Sequence, residues 1–220
     1  MSYALFVAGS IIEYFSYFIF MFALFRFRFR DRMFYLVFVS FIMSQVSYFT
    51  RLNPEIGELS SYIQLTLLII AMWVLFRVPL YYSIVMNGAG FVFGFAVQGL
   101  VILFLWQTGT PLGTIQDNAL ASAATQALSA LLVIGFSRLI FIKNWGFDYV
   151  PTSHRAYVRI SGVNALLLVI IVIAAVAACL TAFLFKNEFK DYIILSNAIF
   201  IISVPLFLYY SFRKDHEDAS

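Results

Sequence analysis

The sequence predicts an all-α, polytopic transmembrane helical bundle. Three observations carry that expectation. Hydrophobic residues make up 63% of the 220 and charged residues only 11%, against about 25% charged in an ordinary soluble domain. Mean hydropathy is +0.92. The apolar residues fall in seven long runs nearly free of charge, and the 14 Lys and Arg gather mostly in the short connections. Such a chain cannot build a polar surface, so the solvent it suits is a bilayer.

A spanning helix needs about 20 apolar residues. The first run is Tyr3–Phe25. It lacks the basic leader and small-residue cleavage site of a secretory signal, so it is expected to remain as a span. The second is Met33–Thr50 and the third Ser60–Phe76. The fourth, Pro79–Trp106, is long. Ala119–Ile142, Ser161–Phe185 and Asp191–Phe212 complete seven. Six spans remain open, and the departures to look for are a fusion of the third and fourth runs or a break in the fourth. Residues 1–212 then form one transmembrane helical domain, and 213–220 a short cytoplasmic tail.

Charge orients the bundle. Arg26, Arg28, Arg30, Arg32, Arg77, Arg138, Lys143, Arg155, Arg159, Arg213 and Lys214 fall on one side, and Arg51, Lys186 and Lys190 on the other. Cytoplasmic loops carry the basic excess, so the N-terminus is expected outside and the C-terminus in the cytoplasm, with the chain multi-pass in a cell membrane. Trp106 near the outer surface and Trp73 and Trp145 near the inner one suit the interfacial preference of aromatic rings. The basic and aromatic alternation Arg26-Phe27-Arg28-Phe29-Arg30-Asp31-Arg32 would suit a nucleic acid in another setting. Between two spans it reads as an anchor to anionic lipid headgroups, and no nucleic-acid partner is expected.

Polar residues inside the spans are the candidate site. Glu13 is the one carboxylate near mid-span. An ionised group there costs several kcal/mol unless paired or neutralised. It suits proton coupling or ligand contact, and equally a hydrogen bond between helices. Gln45, Gln64, Gln98, Gln126 and Asn197 all fall in the outer halves of their helices once the chain is threaded. Five amides at one depth can line an outward cavity or join helices by hydrogen bonds of about 0.6 kcal/mol each. Gly90 and Gly94 form a GxxxG step on the fourth span, suited to close helix packing or to a hinge. Ala123, Ala127 and Ala130 of the fifth span offer a complementary small face. Arg138 is placed to snorkel to the interface. The segment Gly146–Ile160, with Pro151, His154, Arg155 and Arg159, suits the membrane surface or an intracellular contact.

Recognisable catalytic chemistry is absent. The sequence has no Walker loop, no HExxH and no Gly-x-Ser-x-Gly. Cys179 is the only cysteine and is threaded to the side opposite His154. It reads as a small apolar residue. Neither enzyme activity, nor a metal, nor a cofactor is expected.

Three stretches carry a resemblance: Ser47-Tyr48-Phe49-Thr50-Arg51-Leu52-Asn53-Pro54, Tyr62-Ile63-Gln64-Leu65-Thr66-Leu67-Leu68-Ile69-Ile70, and Trp145-Gly146-Phe147-Asp148-Tyr149-Val150-Pro151. Across residues 33–212 the chain resembles the N-terminal membrane sensor region of peptide-sensing histidine kinases of Gram-positive bacteria, the accessory gene regulator receptor type. The resemblance implies a six- or seven-helix sensor whose ligand site faces outward. The kinase's phosphoacceptor helices and ATP-binding domain are missing here, so it implies a sensor module without its own output, or one that signals to a separate kinase or membrane partner. The leading expectation is a non-enzymatic bacterial sensor or regulatory protein binding a peptide or small hydrophobic ligand. A solute or ion transporter using Glu13, and a structural subunit docking through the glycine stripe, are the rivals.

Overall fold

The computed structural model describes residues 3–27, 32–53, 56–57, 60–151, 162–184 and 189–219. The described residues form eight helices and no strand. These are α1 (Tyr3–Leu24), α2 (Met33–Leu52), α3 (Ser60–Val74), α4 (Leu80–Gln107), α5 (Leu112–Asp117), α6 (Ala119–Lys143), α7 (Val163–Leu184) and α8 (Phe189–Ala219). Six of them are long and apolar enough to cross a membrane, by length and composition. With little water in a bilayer, helices satisfy every backbone group internally, which is why apolar runs of this kind coil.

The seventh long run is realised differently. α3 has 15 residues, about 22 Å, against a hydrocarbon core of about 30 Å. It ends because Arg77 turns left-handed (φ 57°) and Pro79 opens α4. Ser60 at its start meets Thr50 at one end of α2, Oγ to Oγ1, 2.5 Å. Phe76, just past its end, accepts from Arg32 at the other end of α2 (2.7 Å). The helix and the turn after it therefore cover the length of α2 together.

Seven helices thus run alternately down and up through the bundle. Let the end where α1 begins be the upper end. At the lower end, α6 closes on Asn144 in the left-handed conformation (φ 54°), a state Asn tolerates. Gly146 then slips under α1. A Cβ there would stand 2.7 Å from the Ala23 carbonyl oxygen. The Phe147 amide donates to Leu24 O (2.7 Å), and Phe147, Tyr149 and Val150 are buried. So residues 146–150 plug the base of the bundle rather than lying on the membrane surface, because Phe25 and Phe207 offer them a ring-lined seat. Residues 152–160, with His154, Arg155 and Arg159, lie outside the described residues.

Residues 213–219, the expected tail, are helical. They extend α8 to Ala219, and the Asp215 carboxylate accepts from the Asp148 amide (2.8 Å). Tyr149 and Ser211 share a hydrogen bond of 3.1 Å. Burial above all pushes the Tyr149 hydroxyl well above its ordinary range, so it stays protonated and keeps this bond at any usable pH.

Helices α1, α2, α3, α4 and α6 close a ring, each packed on the next, while α7 and α8 pack on the outside of α4. The lower half of the ring is filled. Phe18, Phe22, Leu36 and Met72 are almost fully buried there, with Phe76 edge-on to Phe22 at 5.5 Å. The upper half is not filled.

Candidate functional site: a polar cavity in the upper half of the ring

A cavity of about 480 Å³ occupies that upper half. Its rim is Arg51, Gly57, Ser61 and Ser122, with Ile115 from the short helix α5 leaning over it. Its middle carries Glu13, Tyr14, Tyr17, Gln64, Gln98, Thr125 and Gln126. Phe91, Phe95 and Tyr192 close one side, and Met21, Leu68 and Asn87 form the floor. Arg51 lies level with Phe6, its guanidinium 5.4 Å from that ring. Glu13 is seven residues further along α1, about 10 Å deeper. Met21 lies about 12 Å below Glu13 by the same rise.

The depth register comes from two glycines. A Cβ on Gly94 would fall 2.2 Å from Tyr17 Cε1, and one on Gly90 would fall 2.9 Å from Met21 Cγ. α1 therefore lies directly on α4 here, running antiparallel. Counting back one turn from each contact puts Gln98 of α4 opposite Glu13 of α1. Gly90 and Gly94 are covered within the chain by α1, so they offer no docking stripe to another protein. The partner of this face is α1 rather than the alanines of α6. Ala123 instead stands beside Gly9.

Glu13 faces the cavity and is partly exposed to it. Its carboxylate accepts from the Tyr17 hydroxyl at 2.9 Å. Tyr14, one residue on, donates to Gln64 Oε1. Gln64 Nε2 donates to Ser60 Oγ (2.7 Å), Ser60 meets Thr50, and Thr50 Oγ1 donates to Val46 O (2.8 Å). This relay ties α1, α3 and α2 together along one wall. Asn87 donates to Ser83 O at 2.8 Å and more weakly to Leu68 O at 3.4 Å. Two acceptors in the wall have no partner among the described residues, Asn87 Oδ1 and Gln126 Oε1.

Four of the six residues singled out from sequence thus meet in one cavity: Glu13, Gln64, Gln98 and Gln126. Gln45 does not. It sits at the outer seam of α1 and α2, where the Tyr3 hydroxyl donates to it (2.5 Å). Asn197 does not either: α8 brings Tyr192 to the cavity but turns Asn197 toward α4. It lies against Gly99. In the amide orientation that satisfies both ends, Nδ2 donates to Ala96 O (3.1 Å) and Oδ1 accepts from Leu100 N (3.3 Å). It lines a crevice of about 100 Å³ between α4 and α8 that shares Phe95, Gln98, Ile102 and Tyr192 with the main cavity.

The arginine cluster is also partly internal. Arg26 pairs with the Asp148 carboxylate and donates to Asn144 O (2.8 Å). Arg32 donates to Phe76 O and lies over that ring at 5.9 Å. Both make contacts within the protein while remaining partly exposed, and Arg28 and Arg30 lie outside the described residues.

Sequence reasoning missed Tyr14, Tyr17, Asn87 and Arg51 as members of the site. Tyr14 and Tyr17 flank Glu13 at one and four residues, and the i, i+4 spacing was the available signal for Tyr17. Asn87 was visible as a mid-span amide. Among the described residues no three metal-ligating side chains converge.

Compared with known proteins, the chain matches no family model, no curated protein and no solved structure.

Proposed function

We propose that this is a non-enzymatic membrane protein that binds a small hydrophobic ligand or peptide in the upper cavity. The observation that carries the reading is a cavity of about 480 Å³ in which a carboxylate and three glutamines from four helices converge above a filled base. Pockets of 300–1,000 Å³ with an apolar wall and a few convergent polar groups are typical of ligand sites. On this reading the upper end faces the exterior and the arginine-rich lower end faces the cytoplasm of a bacterial cell. The chain acts as a sensor or regulator, in keeping with its resemblance to the membrane region of accessory gene regulator receptors. Its response passes down α1 to the lower end, where Arg26, Asp148 and Asp215 join α1, the α6–α7 connection and α8. That surface is where a separate kinase or membrane partner would read it.

Cysteine labelling in intact cells tests the reading. In a Cys179→Ser background, Ser61→Cys and Ser122→Cys should react with a membrane-impermeant maleimide. Lys143→Cys should react only after permeabilisation. The reverse pattern would turn the cavity to the cytoplasm and reject an extracellular ligand.

The second reading is transport of a solute or ion through Glu13, favoured by a carboxylate that faces the cavity. It requires the layer of Phe18, Phe22, Leu36 and Met72 to part. Proton-dependent uptake into vesicles, lost in Glu13→Gln, would establish it.

A further inference from the structure

Acceptor capacity is left open at three side chains of the cavity wall. A carboxylate offers about four lone-pair sites, and Glu13 has one observed side-chain donor, the Tyr17 hydroxyl at 2.9 Å. Asn87, 2% exposed, has its amide orientation fixed by the bond from Nδ2 to Ser83 O. Its Oδ1 is left without a partner among the described residues, as is Oε1 of Gln126, itself 4% exposed. Buried polar atoms are nearly always paired, and a carboxylate held among hydrocarbon is stable only opposite donors or positive charge. The one cation among the described lining residues is Arg51. It stands about 10 Å above Glu13 by helix rise, with its guanidinium over Phe6. An occupant that carries a positive charge and donates hydrogen bonds would complete these acceptors, beside the amide and hydroxyl donors that Gln98, Ser61, Ser122 and Tyr192 bring to the wall.

Two further features narrow the occupant. Aromatic rings of Tyr14, Tyr17, Phe91 and Phe95 border the cavity, and ring faces attract cations. The volume, about 480 Å³, equals roughly sixteen waters at about 30 Å³ each. A bare ion would leave most of it empty. Nor do Glu13 and Asn87 converge on one ion, since they stand about three helical turns apart in depth.

We infer that the cavity takes an amine-bearing organic cation, whose ammonium donates to Glu13 and whose apolar body lies against the aromatic side and the floor. The inference rests on the ligand-binding reading above and adds the charge and class of the ligand. The ammonium replaces the water that would otherwise solvate Glu13, and the rings shield the pair from solvent.

The test uses the full chain in lipid nanodiscs and four probes: 2-phenylethylamine, 2-phenylethanol, 3-phenylpropionate, and sodium ion alone. Dicyclohexylcarbodiimide, which modifies carboxyl groups in apolar surroundings, reports on Glu13 by mass spectrometry in the unaltered chain. Calorimetry reports binding to the unaltered chain and to Glu13→Gln. The amine should slow modification of Glu13 and bind at least about thirtyfold more weakly to Glu13→Gln, the loss expected when one partner of a desolvated charge pair is removed. The alcohol should bind both proteins alike. Equal protection by the alcohol, the propionate or sodium would overturn the amine. It would leave the cavity a ligand site if that protection disappears in a Gln64→Leu, Gln98→Leu double variant. Absence of protection by every probe would overturn both the amine and the ligand-binding reading. Because the carbodiimide arm needs no substitution, a folding failure of Glu13→Gln does not blunt the test.

Discussion

Gly94→Ala is the most informative single substitution in this bundle. The added methyl carbon would sit 2.2 Å from Cε1, 2.7 Å from Cζ and 2.9 Å from Cδ1 of Tyr17. Ordinary carbon contacts lie at about 3.5–4.0 Å, so the ring edge must retreat by about 1.5 Å. Tyr17 is buried, 8% exposed, and it is the ring itself, not a flexible tip, that is struck. The same ring carries the hydroxyl that donates to Glu13 at 2.9 Å. A retreat of that size carries the bond past the distance at which it counts as one. Overpacking costs about 1–3 kcal/mol. The lost interhelical bond adds about 0.6 kcal/mol on the membrane average. Replacing Gly by Ala within a helix returns about 1 kcal/mol. The balance is a destabilisation of about 0.6–2.6 kcal/mol.

For a chain of this size each kcal/mol moves the unfolding midpoint by about 2–4 °C, so a fall of roughly 1–10 °C is expected for the purified protein. Gly135→Ala is the control. Gly135 is exposed on α6 and a Cβ there would meet nothing within 4 Å, so it should hold or raise the midpoint. In a Tyr17→Ala background the cost of Gly94→Ala should vanish, because coupling is confined to groups in contact. A rise in the Gly94→Ala midpoint matching that of Gly135→Ala would refute the direct seating of α1 on α4, and with it the depth register that sets Gln98 opposite Glu13.

Two smaller predictions separate packing from charge. At the lower end, Phe147→Ala should cost about 3–5 kcal/mol, since that ring is 1% exposed and packs on Phe25, Tyr149 and Phe212. Asp148→Asn should cost at most about 1 kcal/mol, because the pair with Arg26 is solvent-exposed, at 64% and 33% of the two side chains; thermal unfolding of both variants would expose the reverse order if the ion pair were what holds the loop. At the upper end, Gly9→Ala would bring a methyl within 2.6 Å of Gln126 Oε1, but every other neighbour is 3.7 Å away or more. Only an unpartnered amide tip must swing, so the midpoint should stay within about 3 °C of the parent, given about 2–4 °C per kcal/mol; a drop like that of Gly94→Ala would mean that α1 and α6 are locked there.

Helix positions were legible because water exclusion writes itself into composition. The expected run Pro79–Trp106 and the observed Leu80–Gln107 differ by one residue at each end, since Pro and an interfacial Trp mark both boundaries. α5 was not legible. Its six residues, Leu112–Asp117, carry too little periodicity to stand out. The tuck of residues 146–150 depends on Gly146 and on rings far away in sequence, which no local pattern reports. The polar residues 213–220 read as a short tail because charge usually ends a span. Here the helix simply continues, with Arg213 donating to Glu217 at 2.9 Å one turn on.

The site shows where such reading stops. Counting residues from a helix end gives depth, because rise per residue is fixed. It does not give the direction in which a side chain points about the axis, because an apolar span has almost no polar face to set it. Depth alone joined Gln45, Gln64, Gln98, Gln126 and Asn197. Direction divides them: Gln64, Gln98 and Gln126 turn inward, Gln45 turns to the α1–α2 seam, and Asn197 turns to the α4–α8 crevice. What fixes direction is the pair of contacts in which Tyr17 and Met21 fill the space that Gly94 and Gly90 leave. The same four residues set the rotation of α1, and with it the aim of Glu13. The glycine step and the mid-span carboxylate, separate features along the chain, therefore meet in three dimensions, where Tyr17 touches both Gly94 and Glu13.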